Sequence, residues 1–544
     1  MDHLIPRPRL AESAPGSFAF TPGTAVSGPV DLVDPVRLAL AVLDLGRGDD
    51  ASARVRVTRD PALGPEAYTL TIGEDEVLIA AGDAAGAFYA GQTLRQLLPV
   101  EAFRSVVLPG TEWRVSCGRV EDSPAFSWRG AHLDVSRNFL PKREVLRMID
   151  LLALHKLNRL HLHLADDQGW RLESRAYPLL HEVGSHRTQT ITSFYHEEPT
   201  YDGVPHGGYY TLRDLAEIGA YARARAVTVV PEIDVPGHAS AILAAYPSLG
   251  ATPGERHHVL DRWGISPAIL APLPGTVDFL AAVFDEIIEA LGEVPYLHIG
   301  GDECVLDAWE ASAEIRAYRA ELDLDSPGDL HAWFLRRLAD LLAERGTRAV
   351  VWDEAFVSGM LREDTIVMPW RGAAVGRRAA AAGHEVVATP VFPLYFDYGE
   401  AASAEEPLAI GETITVADVA AFEPAPATWE DAERARVTGL QFQLWSERIP
   451  DGRTLDYRAW PRGCAAAEVS WTGGPARPEF TERLTRHLER LDALGVEYRP
   501  LAGPRPWQRG GGARRHRPGV IDIQEVMRRV DEMTLTADST RPSM

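Results

Sequence analysis

The chain has 544 residues, 45% of them hydrophobic, so it can form two or three domains around large buried cores. Its formal net charge of −23 argues against nucleic acid or an anionic membrane as the main partner. The balance is typical of a protein that acts on a neutral small molecule or polymer. The three cysteines are widely spaced and show no metal-binding pattern, so a disulfide framework is not expected.

The N-terminal segment has no pattern typical of export. Prolines interrupt it at four positions, and no charged stretch leads into an apolar run. No apolar run along the chain is long enough to span a bilayer. We therefore expect a cytoplasmic protein without a membrane partner, and a non-standard export signal stays open as the alternative.

Residues 1–122 predict a small α+β domain. Tyr68–Ile72 alternates between apolar and polar residues like a strand, and Glu76–Ala80 comes after it, beyond a turn. Gly86–Leu98 carries its apolar residues at helical spacing. No residue of this segment suggests chemistry, and Asp122–Pro124 is the predicted linker to the second domain.

From Trp128 onward, short apolar strands alternate with helices, which predicts a parallel sheet with helical crossovers. The predicted strands are Gly130–Val135, Arg159–Leu164, Val227–Ile233, Tyr296–Ile299, Ala349–Trp352, Thr365–Met368, Glu385–Thr389 and Gly439–Leu444. Predicted helices include Pro141–Leu157, Thr211–Arg225 and Asp329–Arg345. The pattern predicts a (β/α)8 TIM barrel over residues 123–506, with long loops.

Polar and aromatic residues close most of these strands. The closing stretches are Asp134–Arg137, His161–Asp167, Glu232–Asp234, Asp302-Glu303, Trp352–Glu354, Trp370-Arg371 and Trp445–Glu447. Because the carboxyl ends of barrel strands meet on one face, we expect these side chains to surround one active site.

The most informative stretch is His298–Glu303, where a buried strand runs into two glycines and two adjacent carboxylates. Paired carboxylates, an arginine and several tryptophans favour glycoside hydrolysis, since a neighbouring carboxylate can raise the pKa of a general acid. Tryptophan faces pack against sugar rings. One difficulty is that successive strand residues point to opposite faces, whereas ordinary retaining enzymes need facing carboxylates about 5–5.5 Å apart.

Taken together, the motifs resemble those of the β-N-acetylhexosaminidases of glycoside hydrolase family 20, from about Tyr68 to Pro504. The stretches that carry the resemblance are Phe88-Tyr89, Gln92–Leu94, Asp134–Arg137, His163–Arg171, Pro231–Asp234, Pro236–His238, His298–Glu303, Trp352–Glu354, Tyr395–Asp397 and Trp445–Glu447.

The resemblance implies substrate-assisted catalysis, which removes the difficulty because no facing pair is needed. The 2-acetamido oxygen of the substrate attacks C1 and forms an oxazolinium intermediate. By similarity, Glu303 is the general acid that protonates the leaving oxygen and afterwards the base that activates water. Asp302 holds the acetamido N–H, and Tyr395 donates to the acetamido oxygen.

The remaining predicted site residues are also assigned by resemblance. Trp352, Trp370 and Trp445 enclose the acetyl methyl; Arg137, Asp397 and Glu447 bind sugar hydroxyls; Asp166 and His238 support the acid/base. The predicted activity is exo-acting, retaining release of terminal N-acetylglucosamine and N-acetylgalactosamine from the non-reducing ends of oligosaccharides. No metal or organic cofactor is implied, and the oligomeric state is not readable.

Two other functions stay open. The first is a metal-dependent barrel hydrolase, because His161 and His163 alternate toward one face and His238 and His298 could join them. The second is a sugar-binding protein without catalysis on the same scaffold. Residues 507–544 predict a flexible basic linker followed by a short terminal helix, whose role the sequence leaves open.

Overall fold

The computed structural model describes residues 1–21, 23–49, 53–193, 198–252, 254–356 and 359–509. From residue 510 onward, the predicted basic linker and terminal helix lie outside the described residues. Among the helices described, none is both long enough and apolar enough to cross a bilayer.

The N-terminal domain is a mixed sheet covered by two helices. Its strands are β1 (Leu10–Phe20), β2 (Ala25–Ser27), β3 (Gly46–Arg47), β4 (Val55–Arg59), β5 (Tyr68–Ile72), β6 (Val77–Ala81) and β7 (Trp113–Asp122). They pair in the order β1-β7-β5-β6-β4-β2-β3. The helices α1 (Val30–Ala39) and α2 (Ala84–Leu97) pack against each other. The predicted small α+β domain, with its two named strands and its helix, is confirmed.

The second domain contains the barrel. Its strands are β8 (Trp128–Asp134), β9 (Arg159–His163), β10 (Ala165–Asp166), β11 (Gly169–Trp170), β12 (His186–Arg187), β13 (His206–Gly207), β14 (Thr228–Glu232), β15 (Tyr296–His298), β16 (Arg348–Trp352), β17 (Ile366–Met368), β18 (Val386–Ala388), β19 (Tyr398–Gly399), β20 (Ile410–Thr413) and β21 (Val437–Leu444). Eight of them close a parallel barrel in the order β8-β9-β14-β15-β16-β17-β18-β21. Each of the eight predicted strands is therefore confirmed, and the fold is a TIM barrel.

The helices of this domain connect its strands and follow the last of them, and the longer ones bury residues in the core. They are α3 (Lys142–Leu154), α4 (Leu179–Glu182), α5 (Leu212–Arg223), α6 (Ser240–Ala245), α7 (Pro274–Leu291), α8 (Asp307–Ala311), α9 (Ala313–Glu321), α10 (Pro327–Glu344), α11 (Ala373–Ala381), α12 (Val391–Leu394), α13 (Val416–Ala420), α14 (Asp431–Arg434), α15 (Gly452–Ala459), α16 (Arg462–Thr472) and α17 (Phe480–Ala493). The predicted helices correspond to α3, α5 and α10. Thr211 caps α5 as predicted, since it and Asp214 exchange side-chain-to-backbone hydrogen bonds.

The small domain is joined to the barrel by buried ionic contacts. Lys156 Nζ lies 2.7 Å from Asp122 Oδ2, and Trp471 Nε1 donates to Asp122 Oδ1 at 2.7 Å. Arg129 Nη2 donates to Glu66 Oε1 at 2.8 Å. Arg129 lies near the start of β8, and Lys156 precedes β9. The small domain therefore packs at the amino ends of these strands and leaves their carboxyl ends for the site.

Candidate active site

The loop after β15 brings two adjacent carboxylates to the carboxyl end of the barrel. Gly300 and Gly301 have φ values of 64° and 100°, and Glu303 itself has a φ of 51°. A Cβ atom on Gly300 would come within 1.7 Å of Asp234 Oδ1, so only glycine permits this close approach. The left-handed backbone interrupts the strand alternation, so both Asp302 and Glu303 face the same neighbour.

That neighbour is His238, on the loop after β14. Its Nε2 atom lies 3.5 Å from Glu303 Oε2 and 3.8 Å from Asp302 Oδ2. On the other side of the ring, Nδ1 donates to Asp166 Oδ1 at 3.1 Å. Burial lowers the pKa of His238, but the carboxylates of Asp166 and Asp234 outweigh this and hold it well above its usual value. His238 is therefore an imidazolium at neutral pH, and five carboxyl groups face it: those of Asp166, Asp167, Asp234, Asp302 and Glu303.

Asp302 is a buried acid with an unused acceptor. Burial, and then the neighbouring charges of Asp234 and Glu303, raise the pKa of Asp302 well above its usual value. Burial also raises the pKa of Asp234 to about 7. Asp302 Oδ1 has no hydrogen-bond partner among the residues that the structure describes. A buried acceptor of this kind can receive an N–H group from a ligand.

Arg137 anchors one side of the pocket. Its Nη2 atom lies 2.6 Å from Asp166 Oδ2, and its guanidinium carbon lies 4.9 Å from the ring centre of Trp445. Two further acids, Asp397 and Glu447, lie near each other. Burial, and then the nearby charge of Glu447, raise the pKa of Asp397 well above its usual value. One carboxylate oxygen of each acid lacks a partner within the described part of the chain, so both can accept hydroxyl groups.

An aromatic cluster lines the pocket beside these acids. The ring centres of Trp352 and Trp445 are 6.0 Å apart, and those of Tyr395 and Trp445 are 6.2 Å apart. Burial raises the pKa of Tyr395 well above its usual value, so its hydroxyl stays protonated and can donate. Trp370 joins the site through another acid, since its Nε1 atom donates to Glu354 Oε2 at 2.9 Å.

The sequence placed Glu232 among the strand-end residues but assigned it no role; in the structure it is buried at the centre of a cluster of histidines. Its carboxylate is within 4.0 Å of four histidines, which are His132, His161, His163 and His298. His161 and His163 do share a face, as predicted. These side chains include sets whose spacing could hold a metal ion, such as His161, Glu232 and His298. Within the same cluster, Glu232 is in direct contact with His298 Nδ1 at 2.7 Å and with His161 Nε2 at 3.0 Å.

A TIM barrel with carboxyl groups, an arginine and indole rings at its carboxyl end is the arrangement expected of a glycosidase. The model for the glycosyl hydrolase family 20 catalytic domain matches residues 126–474, and that for domain 2 of the same family matches residues 2–123. The chain therefore belongs to glycosyl hydrolase family 20.

Known members resemble the chain over most of its length. A β-hexosaminidase of Porphyromonas gingivalis is 34% identical over 94% of this chain, which spans 66% of that longer protein. A β-N-acetylhexosaminidase of Cellulomonas fimi is 32% identical over 91% of this chain and 95% of its own length. The structure of an exo-β-N-acetylglucosaminidase from Vibrio harveyi in complex with N-acetylglucosamine has a TM-score of 0.80 at 30% identity, covering 92% of this chain and 79% of that one.

Proposed function

We propose that the chain is an exo-acting, retaining β-N-acetylhexosaminidase that releases terminal N-acetylglucosamine and N-acetylgalactosamine from oligosaccharides by substrate-assisted catalysis. The observation that carries the proposal is the convergence of Asp302 and Glu303 on one ring nitrogen of His238. Neighbouring carboxylates on one side of a pocket do not form the facing acid and nucleophile of an ordinary retaining enzyme. They suit a substrate that brings its own nucleophile.

In the first step, the acetamido oxygen forms a bond to C1 as the bond from C1 to the leaving oxygen breaks. Glu303 gives its proton to that oxygen, and the positive charge passes to the oxazolinium ring. Asp302 accepts the acetamido N–H and stabilises this charge, while Tyr395 donates to the acetamido oxygen. In the second step, Glu303 takes a proton from water, which attacks C1 and reopens the ring. Two displacements at C1 retain the β configuration.

The other residues hold the sugar. Trp352, Trp370 and Trp445 enclose the acetyl methyl group, which an apolar surface accommodates well. Arg137, Asp397 and Glu447 bind the ring hydroxyls through charged hydrogen bonds. Asp166 and His238 hold Glu303 in position. The unpartnered oxygens of Asp397 and Glu447 support this assignment, because a buried acceptor needs a donor and the hydroxyls supply it.

Paired hydrolysis of nitrophenyl β-N-acetylglucosaminide and nitrophenyl β-glucoside tests the proposal. We expect cleavage of the acetamido sugar alone, at the same rate with and without EDTA. Cleavage of both sugars would show that a protein carboxylate is the nucleophile. Loss of activity in EDTA, restored by a divalent metal, would favour a metal-dependent hydrolase built on the histidines around Glu232. Binding of N-acetylglucosamine without turnover would favour a sugar-binding protein.

A further inference from the structure

Glu232 is the last residue of β14, and its carboxylate is fully buried below the pocket. Oxygen Oε1 accepts a hydrogen bond from Trp352 Nε1 at 3.0 Å and lies 2.7 Å from His298 Nδ1. Oxygen Oε2 lies 3.0 Å from His161 Nε2 and is in hydrogen-bond contact with His163 Nδ1. One carboxylate thus contacts side chains from three other barrel strands.

The contact with Trp352 leads to the aromatic side of the pocket. Trp352 is the last residue of β16, and its ring lies 6.0 Å from that of Trp445. The ring of Trp352 is buried among other rings, and a fixed acceptor for its N–H adds a directional contact that helps to hold the ring face in one plane. Glu232 supplies that acceptor.

The contact with His163 leads to the acid side of the pocket. His163 Nε2 donates to Asp166 Oδ2 at 2.8 Å, and Asp166 Oδ1 in turn accepts from His238 at 3.1 Å. His238 then faces Glu303 at 3.5 Å. The series of contacts from Glu232 to Glu303 therefore passes through His163, Asp166 and His238, and each of these side chains contacts the one before it and the one after it.

We propose that Glu232 is a positioning residue for the hydrolysis proposed above, on which this inference rests. One carboxylate oxygen holds the ring plane of Trp352. The other oxygen holds His163, and through it the positions of Asp166, His238 and Glu303. Glu232 does not touch the substrate, so its effect on turnover passes through these neighbours.

Charge is essential to this arrangement because both ring nitrogens of His163 face carboxylates. Burial lowers the pKa of His163, but Glu232 and Asp166 outweigh it and hold the pKa well above its usual value. His163 is therefore doubly protonated and donates in both directions. The groups around it are Glu232, Asp166, Asp234 and the rings of His132, His161 and His298. An amide in place of Glu232 would remove the charge that keeps His163 protonated, and in one of its two orientations it would also turn an N–H toward the N–H of His163.

The test compares the wild type with Glu232→Gln, His163→Gln and the double variant on nitrophenyl β-N-acetylglucosaminide across the pH range. We expect each single variant to lower kcat/KM by about 10- to 100-fold, mostly through kcat, as is typical for residues that orient a reacting group. We also expect the pH profile to move by about half a unit or more in both. The double variant should lose little beyond Glu232→Gln alone, because His163 lies within the series of contacts that Glu232 already holds.

Glu468→Gln is the matched control, since Glu468 is a buried acid that pairs with Arg483 away from the site. We expect its pH profile to coincide with that of the wild type. A Glu232→Gln profile that coincides as well, or losses that multiply in the double variant, would overturn the proposal. If the wild type does not cleave the substrate, the proposed function itself fails, so the two failures are distinguishable.

Two variants decide the question even if Glu232→Gln does not fold. Trp352→Phe removes the indole N–H and keeps a ring, so kcat should fall without movement of the pH profile. His163→Gln keeps a donor toward Asp166 but loses the charge, so its profile should move. If instead the pH profile moved in Trp352→Phe and stayed in place in His163→Gln, the roles proposed for the two oxygens of Glu232 would be wrong.

Discussion

Glu303 and His238 lie on loops that come after different barrel strands, yet Glu303 Oε2 and His238 Nε2 are only 3.5 Å apart. Of the two neighbouring acids, Glu303 is the more accessible, with 24% of its side chain exposed against 12% for Asp302. A leaving group and a water molecule can therefore reach Glu303, while Asp302 is left to contact the part of a ligand that is buried deepest.

Glu303→Gln should separate the two kinds of substrate. An amide cannot give up a proton, so we expect kcat on a chitobiose-type disaccharide to fall by about 10²- to 10⁴-fold. The loss on a nitrophenyl glycoside should be smaller, because this leaving group departs without protonation. Steady-state kinetics on both substrates measures the ratio. Equal losses on the two would contradict the role of Glu303 as the acid.

Asp302→Asn should lower activity and raise stability. Loss of the charge that stabilises the oxazolinium should lower kcat by about 10²- to 10³-fold. Because the folded-state pKa of Asp302 is raised, its contribution to stability is present at low pH and is lost as the pH rises toward that pKa. The variant should therefore be more stable at pH 7 by about 0.5–2 kcal/mol. Urea unfolding at pH 7 and pH 3 checks this, with the gain confined to pH 7.

Asp234→Asn should move the acidic limb of kcat/KM to lower pH. The charge of Asp234 helps to raise the pKa of Asp302, which must be ionised to accept the acetamido N–H. Without that charge, Asp302 ionises at lower pH, and the limb should move down by about 1 pH unit. Asparagine keeps the acceptor for Gly301 N–H. An acidic limb that stays in place or moves upward would show that Asp302 does not control it.

Tyr395→Phe should weaken a mimic of the cyclised intermediate more than it weakens the sugar product. A thiazoline analogue should bind the wild type at least about 10²-fold more tightly than substrate. Loss of the Tyr395 hydroxyl, which donates to the thiazoline ring, should weaken binding of the analogue by about 10-fold or more. The Kd of N-acetylglucosamine should change less. Calorimetry with both ligands gives the comparison. Equal weakening of the two would place Tyr395 outside the acetamido subsite.

Asp122→Asn should destabilise the protein without altering turnover by the folded fraction. Asp122 accepts from Lys156, Tyr68 and Trp471, all buried between the small domain and the barrel. Asparagine leaves the ammonium of Lys156 without its counter-charge, at a cost of about 3–5 kcal/mol. Urea unfolding gives the change in the free energy of unfolding.

The control for this prediction is Asp34→Asn in the pair with Arg47, whose side chains are 50% and 52% exposed. Exposed pairs contribute little, so the control should change the free energy of unfolding by less than about 1 kcal/mol. Similar effects of the two substitutions would show that Lys156 finds another partner or loses its charge.

The sequence predicted the barrel because each strand is a short apolar run that ends in polar residues. Strands buried on both sides, such as β17 and β18, give this signal clearly. Site residues at strand ends could be predicted for the same reason, since barrel closure brings all the ends together.

Glu232 and its histidines could not be predicted as a unit. Glu232 and His132 lie within strands, where alternation predicts the direction of a side chain but not which residues meet across the barrel. That depends on the register of non-neighbouring strands, which only the closed structure supplies. The orientation of Glu303 was also beyond the sequence, because a left-handed backbone at glutamate has no local sequence signal.

The left-handed φ of Glu303 has a consequence for how variants of this protein would behave under selection. A non-glycine residue in this conformation costs about 1–2 kcal/mol, and glycine would remove most of that cost. In a mutant library screened for heat resistance alone, Glu303→Gly should therefore be enriched although it eliminates the proposed acid. Thermostabilisation of this protein would therefore need a concurrent screen for turnover, since selection for heat resistance alone favours replacement of the proposed acid.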